Sequence, residues 1–166
     1  MKRKSSSEVD RLNKKKKYNT NEDNYFASLG RVHFKFGKYE EAISAVSKAI
    51  ELDPTHAGYF SSLGASLSKL QRYEEAIVPH KEATKLDSTN AEYWGNLGYA
   101  HFKLRQYPEA IISYNKATEL EPTNVEYWSN LGYAHFKLEH YQESANAYIK
   151  LTDIDPTSTK YWSDLV

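Results

Sequence analysis

The feature that most constrains this chain is a nine-residue stretch, NLGYAHFKL, which occurs at residues 96–104 and again at residues 130–138. The two copies begin 34 residues apart. A Leu-Gly pair recurs with the same period, at residues 29–30, 63–64, 97–98 and 131–132. A fixed period of this length predicts four structural units stacked on one another, because one unit cannot bury its apolar face alone.

Each unit is predicted to contain two α-helices. In the third unit an apolar stripe runs from Trp94 to Leu104 with spacings of three, four and three residues, which is the pattern of one helix face. A second stripe runs from Tyr107 to Ala117, and Pro122 stands just beyond its end, where proline terminates a helix. The two stripes predict a pair of antiparallel helices and an all-α protein.

Two residue types inside the predicted helices have structural consequences. Each predicted first helix contains the glycine of the Leu-Gly pair, although glycine in a helix costs roughly 1 kcal/mol relative to alanine. This recurrence predicts the close approach of a neighbouring helix. In the second unit Pro79 lies well inside the second helix, where it removes the hydrogen bond to the carbonyl of Glu75 and predicts a local bend.

The stretch YWGNLGYAHFKLRQYPEAIISYNKATELEP, from Tyr93 to Pro122, resembles the tetratricopeptide repeat, and the stretch from Tyr127 to Pro156 resembles it almost as closely. The resemblance covers residues 23–158. It implies a right-handed superhelical α-solenoid of antiparallel helix pairs, in which the first helices line a concave groove. The predicted units are residues 23–56, 57–90, 91–124 and 125–158, and residues 159–166 are predicted to begin a capping helix or a fifth unit.

Residues 1–22 are predicted to be a disordered basic tail, because they hold too few aliphatic side chains to form a core. Two basic clusters in this tail match a bipartite nuclear localisation signal of the kind that an importin binds. The basic residues are Lys2, Arg3, Lys14, Lys15, Lys16 and Lys17. A solvated tail or one at a membrane surface is the alternative interpretation. Nucleic-acid binding is less favoured, since no aromatic residue is interleaved with these lysines.

Composition restricts the classes of function. The 166 residues include no cysteine, so disulfides and thiolate chemistry are excluded. Together with the lack of an apolar signal core and of any long apolar stretch, this predicts a cytoplasmic or nuclear protein without a membrane span. Whether the sequence is a fragment of a longer array stays open, because its last residues begin a fifth register.

No pattern of catalytic or metal-binding residues is found in the sequence. It has no Ser-His-Asp order, Walker loop, HExxH motif or paired-carboxylate spacing. His33, His101 and His135 share one register of successive units, which keeps them too far apart for one metal ion and predicts packed core side chains. We therefore predict no enzyme, no cofactor and no metal.

A second face of the first helices is the predicted binding surface. With the apolar stripe packed inward, Gly95, Tyr99 and Phe102 lie on another face of the third unit, which the resemblance places in the groove. Asn96, Tyr99 and Lys103 form one ridge of that helix, and the fourth unit repeats it. The predicted groove residues are Arg31, Lys35, Lys69, Asn96, Tyr99, Phe102, Lys103, Asn130, Tyr133, Phe136 and Lys137.

These residue types predict an extended peptide as the ligand. An asparagine amide pairs with both groups of a peptide backbone, and tyrosine provides large contacts at low entropic cost. The groove lysines and Arg31 outnumber Glu92 and Glu126, which predicts a preference for acidic or carboxylate-ended peptides. Since Asn96 and Lys103 are also common in repeats of any specificity, Tyr99 and Tyr133 are the most distinctive candidates.

The predicted function is a non-catalytic scaffold or adaptor for protein interactions. One alternative is the substrate-recruiting repeat portion of a larger enzyme, and another is an assembly factor associated with nucleic acid. A third is an adaptor for the acidic tail of a chaperone, but the family's carboxylate clamp of Lys, Asn, Asn, Lys and Arg is missing. The corresponding positions, counted from the first unit, are Ala27, Arg31, Ser62, Glu92 and Asn96.

Overall fold

A computed structural model describes residues 22–156 of the chain. The described residues contain eight α-helices and no strand. The helices are α1 (residues 22–35), α2 (Tyr39–Leu52), α3 (Ala57–Lys69), α4 (Tyr73–Leu86), α5 (Ala91–Lys103), α6 (Tyr107–Leu120), α7 (Val125–Lys137) and α8 (Tyr141–Ile154). In this part of the chain, no helix has both the length and the apolarity that crossing a membrane requires.

Two predicted segments fall mostly outside the described residues. They are the basic tail with its nuclear-signal-like lysines and the capping segment at residues 159–166. Residue 22, which was assigned to the tail, is already helical. The start of α1 is held by tertiary contacts, because Asp23 is buried and accepts a hydrogen bond of 3.1 Å from the hydroxyl of Tyr59 on α3.

The helices form antiparallel pairs that stack in chain order. From α2 onward each helix packs against the next one, and α5 also contacts α3 and α7. Connections of only a few residues require neighbouring helices to run in opposite directions. Each pair lies within one of the four predicted units apart from residue 22, so the predicted all-α architecture of helix pairs is confirmed.

Close packing within each pair accounts for the recurrent glycines. A Cβ atom on Gly98 of α5 would lie 2.8 Å from the ring of Tyr114 on α6. On Gly64 of α3 it would lie 2.5 Å from the ring of His80 on α4. Since neither distance leaves room for a methyl group, the first helix needs glycine where the second helix crosses it. Gly30 faces Val46 and Gly132 faces Tyr148 in the same way.

Polar contacts define where α5 and α7 begin. The side chains of Asn90 and Asn124 cap these helices by accepting hydrogen bonds from the backbone N–H groups of Glu92 and Glu126. The indole N–H of Trp94 donates to the carbonyl of Ser88 at 3.0 Å, and Trp128 donates to Pro122 at 2.8 Å. Each tryptophan therefore ties the preceding connection to its own helix.

The core lies between successive helix pairs. Ala110 and Tyr114 of α6 are fully buried against Leu131 of α7 and Ala147 of α8. Phe102, Ile111 and Trp128 pack against this cluster while staying partly exposed. Because the buried residues come from two neighbouring units, each unit depends on the next one for its stability.

Proline does not end the helix of the second unit. Helix α4 runs from Tyr73 to Leu86 through Pro79, which is buried. The equivalent residues of the other second helices, Ala45, Ser113 and Ala147, are small and buried as well. The bend of α4 at Pro79 stays a prediction.

Candidate functional site

Three cavities lie along the side of the molecule formed by the first helices of the pairs. The N-terminal cavity, of about 340 Å³, is lined mainly by α1, α3 and α5. The central cavity, of about 390 Å³, is lined mainly by α3, α5 and α7. The C-terminal cavity, of about 510 Å³, lies at the carboxyl ends of α5 and α7. The first two adjoin, because Ala65, Lys69, Glu92 and Asn96 line both.

The structure brings most of the predicted groove residues to these cavities. Arg31 lines the N-terminal cavity, and Lys69 and Asn96 line both it and the central one. Tyr99 and Asn130 line the central cavity. Four further predicted residues line the C-terminal cavity, namely Phe102, Lys103, Tyr133 and Lys137. Lys35 and Phe136 line none of the three.

The two phenylalanines of the predicted site have mainly a packing role. Phe102 is half-buried against the core cluster, with its ring centroid 5.5 Å from that of Tyr133. Phe136 is also half-buried, 6.4 Å from the Tyr133 ring and 6.0 Å from the ring of Tyr141 on α8. Both rings therefore support Tyr133, and Phe102 also lines the C-terminal cavity.

Asn96 and Asn130 occupy equivalent positions on α5 and α7 and are half-buried at the central cavity. Among the described residues neither side-chain amide has a hydrogen-bond partner. An amide supplies an acceptor oxygen and two donor hydrogens, which are the groups that pair with an extended peptide backbone. The two amides, one unit apart, are thus available to a ligand in this cavity.

The central cavity also carries two carboxylates, Glu92 and Glu126, from the first turns of α5 and α7. They converge on the phenol of Tyr127, whose pKa is raised to about 12 by burial first and then by Glu121, Glu92 and Glu126. A negative charge near a phenol disfavours its ionised form. The centre of the groove is therefore acidic, with Lys69 as the cation that also lines it.

Gly95 lines the central cavity, on the helix face that the spacing predicted. It is buried, and a Cβ atom there would lie 2.5 Å from the ring of Tyr127. The missing side chain lets the Tyr127 ring rest directly on α5 and form part of the cavity wall. Gly95 therefore lies on the groove face, although the neighbouring unit covers part of it.

His80 is a wall residue of the central cavity that sequence patterns did not single out as a site. Its side chain is only 1% exposed, and its Nδ1 atom has no hydrogen-bond partner in the structure. The Nε2 atom lies 3.5 Å from the hydroxyl of Ser68, and burial lowers the pKa of the imidazole to about 4. The one signal in the sequence was its register, which Tyr114 and Tyr148 share in later units.

The C-terminal cavity has the opposite charge. Lys103, Arg105 and Lys137 line it, and none of the three forms an ion pair within residues 22–156. The Lys103 ammonium lies 5.3 Å above the ring of Tyr99, and that of Lys137 lies 4.7 Å above the ring of Tyr133. Arg105 was not predicted, because it belongs to the turn after α5 rather than to the helical ridge.

The histidines do not form a metal site. Within the described range no group of three or more His, Cys, Asp or Glu side chains is arranged to hold a metal ion. His101 is buried as predicted and is hydrogen-bonded through Nδ1 to the amide oxygen of Gln106 at 2.7 Å. His33 and His135 are only half-buried, so of these three histidines only His101 occupies the buried position that was predicted.

Family models match the repeats directly. A TPR repeat model matches residues 66–105 and 105–139, and a tetratricopeptide repeat model matches residues 125–158. These matches span more than half of the chain. The chain belongs to the tetratricopeptide repeat family. The model described as anaphase-promoting complex, cyclosome, subunit 3 matches residues 10–79 of this tetratricopeptide repeat chain.

Solved structures of other tetratricopeptide repeat proteins share the fold. MamA (residues 41 to the end) from Desulfovibrio magneticus RS-1 is 22% identical, with 84% of this chain and 78% of that chain covered and a TM-score of 0.78. The first TPR domain of human RPAP3 is 26% identical over 74% of this chain and 97% of that chain, with a TM-score of 0.68. The predicted right-handed α-solenoid is therefore confirmed.

A further similar structure carries a bound peptide. The first TPR of Spaghetti (RPAP3), bound to the HSP90 peptide SRMEEVD, is 26% identical over 72% of this tetratricopeptide repeat chain and 94% of that chain, with a TM-score of 0.70. No curated protein matches the chain by sequence.

Proposed function

We propose that this chain is a non-catalytic scaffold that binds an extended peptide segment of a partner protein in the groove of its first helices. The observation that carries the proposal is the pair of half-buried amides, Asn96 and Asn130, which lack hydrogen-bond partners in the central cavity. Such amides suit an extended strand, since an amide pairs with the N–H and C=O groups of a peptide backbone without requiring a particular sequence.

Two tyrosines complete the surface beside the amides. Tyr99 is 38% exposed, and its ring is met edge-on by Tyr73 at 6.1 Å. Tyr133 is half-buried and is supported by Phe102 and Phe136. Tyrosine rings that neighbouring side chains already hold in place lose little conformational entropy when a ligand binds. This makes them suitable as the main contacts of an interface.

The proposed negative charge of the ligand follows from the basic residues of the C-terminal cavity. Lys103, Arg105 and Lys137 have no anionic partner among the described residues, so we place an acidic side chain or a terminal carboxylate of the peptide there. The RPAP3 structure, whose bound peptide SRMEEVD is acidic, supports this class of ligand by analogy. Because Glu92 occupies a clamp position in this chain, we assign the anion to the C-terminal cavity instead.

The proposal is tested by selecting binders from random dodecapeptides displayed on phage, with the full chain as bait, and measuring their affinities by fluorescence polarisation. We expect the selected peptides to bind in the micromolar range, and Tyr99→Ala combined with Tyr133→Ala to weaken them at least about tenfold, because hot-spot tyrosines contribute more than about 1 kcal/mol each.

The matched control is Tyr25→Ala combined with Ile112→Ala, which removes two large side chains that are 63% and 67% exposed and line none of the three cavities. It should retain full affinity. Circular dichroism of both double variants separates lost contacts from lost folding. Equal affinities of the two folded variants, or no enrichment of any peptide, would refute a peptide-binding groove.

A further inference from the structure

We infer that the central cavity binds a basic side chain of the peptide, preferably the guanidinium of an arginine, while the acidic group lies three to five residues away at the C-terminal cavity. This inference rests on the proposed function and adds a second charge requirement to it. The ligand would then be a segment with charges of both signs in a defined order, rather than a uniformly acidic peptide.

The first argument is the charge of the cavity. Glu92 and Glu126 approach it from two successive units, and neither carboxylate forms an ion pair with another described residue. Lys69 is the one basic side chain among the lining residues of this cavity. It comes from α3, is exposed, and also lines the N-terminal cavity, so the central cavity has two carboxylates, from α5 and α7, and one cation.

The second argument is the buried acceptor of His80. Its Nδ1 atom lacks a partner although the side chain is 1% exposed and lines the cavity. When Nε2 carries the proton, directed at Ser68, Nδ1 is a hydrogen-bond acceptor. Since burial keeps the imidazole neutral at physiological pH, it does not repel a cation. The Nδ1 atom is closed to solvent and packs near Gly64, so a shift of the ring would bring it within reach of an N–H group of the ligand.

The remaining walls favour arginine over lysine. Tyr99 and Tyr127 add aromatic rings, on which a planar guanidinium stacks. Asn96 and Asn130 add two amide oxygens beside the two carboxylates. A guanidinium presents five N–H donors in one plane, whereas an ammonium is a compact point charge, so a cavity ringed by acceptors and aromatic rings suits arginine better.

The spacing follows from the geometry of α5, which contributes to both cavities. Asn96 and Glu92, at the central cavity, precede Lys103, at the C-terminal cavity, by seven and eleven residues. A rise of about 1.5 Å per helical residue separates them by roughly 10 to 16 Å. An extended peptide advances about 3.3 Å per residue, so roughly three to five residues bridge the two cavities.

The test uses three fluorescein-labelled, amidated peptides and fluorescence polarisation with the full chain. The probe is GSSRSGSEEG, in which the arginine precedes two glutamates by four and five residues. GSSQSGSEEG lacks the basic charge, and GSSRSGSQQG lacks the acidic charges. We expect the probe to bind at least about tenfold more tightly than either comparison peptide.

Chain variants locate the charge requirement. Glu92→Gln combined with Glu126→Gln keeps the shape of the cavity and should abolish the advantage of the probe over GSSQSGSEEG. The matched control, Glu51→Gln combined with Glu109→Gln, changes the net charge equally at exposed positions of α2 and α6 and should keep the advantage. The comparison of two peptides on the same variant is insensitive to a small change in stability.

The outcomes separate this inference from the proposed function. If the arginine and glutamine peptides bind the unmodified chain equally, while the peptide without glutamates binds more weakly, the basic-residue site is wrong and the peptide groove stands. An arginine advantage that survives in the Glu92 and Glu126 variant also overturns the site. If none of the three peptides binds and phage selection yields no binder, both proposals fail.

Discussion

At the scale of single residues, one register of the second helices carries very different side chains. Val46, His80, Tyr114 and Tyr148 all pack on the glycine of their own unit. Val46 is an apolar core residue, whereas His80 buries an imidazole with one unpartnered nitrogen and Tyr114 buries a hydroxyl without a partner among the described residues. A buried polar group without a partner lowers stability, so both positions cost the fold free energy that an apolar side chain would not.

Acid should destabilise the chain through His80. Burial lowers its folded pKa from 6.5 to about 4, so below pH 6.5 the unfolded state binds a proton that the folded state does not. The contribution of neutral His80 to the free energy of unfolding is therefore fully present above pH 6.5. It is lost as the pH drops towards 4, by up to about 3 kcal/mol at 1.4 kcal/mol per pKa unit. Urea unfolding at pH 7 and pH 4.5 measures the loss.

Two substitutions make this measurement specific. His80→Tyr, which introduces the residue found at position 114, should remove that part of the pH dependence. His135 contributes in the same direction, because burial also lowers its pKa, but the substitution does not affect it. His56→Gln, which changes an exposed histidine, is the control substitution. An unchanged slope in the His80 variant would mean that other groups cause the acid sensitivity.

At the scale of the helix, α4 tolerates a proline that helical propensity disfavours. Pro79 cannot donate to the carbonyl of Glu75, yet the helix continues to Leu86. Packing against neighbouring helices outweighs the lost hydrogen bond, as tertiary contacts usually outweigh propensity. The equivalent position is alanine in the first and fourth units and buried in both, so the packing space there suits a small side chain.

Pro79→Ala should stabilise the protein. The substitution restores a backbone hydrogen bond and removes the clash of the proline ring, which together cost a helix interior about 3 kcal/mol, while the lost packing of the ring offsets part of the gain. We expect a net gain of about 1–2 kcal/mol by urea unfolding. The reverse change, Ala45→Pro at the same register of α2, should cost about 3 kcal/mol, and the prediction fails if both variants shift stability in the same direction.

The helix scale also explains which of the predicted groove residues lie at a cavity. Asn96, Tyr99 and Lys103 form a ridge that follows from helical spacing alone, and the structure places all three at cavities. Gly95 and Phe102 also line these cavities, but both pack against the neighbouring unit. A first helix in a stack touches its own partner and both adjacent units, so less of it is free than the period of one isolated helix suggests.

At the scale of the whole molecule, stability is distributed between neighbours. The cluster around Tyr114 contains Leu131 and Ala147 from the next unit, whereas the cluster around Val46 and Tyr59 belongs to the first two units. No buried residue is shared between these two clusters. A perturbation at one end should therefore reach the other end only through the intermediate units.

Leu131→Ala should loosen one end of the array selectively. Leu131 is 4% exposed, and removing a buried leucine side chain costs about 2–5 kcal/mol. We expect faster hydrogen exchange of the amides in α6, α7 and α8 by mass spectrometry, with little change in α1 and α2. Ile149→Ala, at a position 51% exposed on α8, is the control and should change exchange little. Uniform acceleration along the chain would indicate a single cooperative unit instead.

The sequence alone determined the repeat, the paired helices, the glycine crossings and the ridge of Asn96, Tyr99 and Lys103, because each follows from a period along one chain. The tertiary structure decided what lies between units. It buried Gly95 under Tyr127, brought His80 to the cavity wall, and separated the acidic centre of Glu92 and Glu126 from the basic end at Lys137. These relations depend on how far one unit is rotated and shifted against the next, and the local spacing of residues does not contain that quantity.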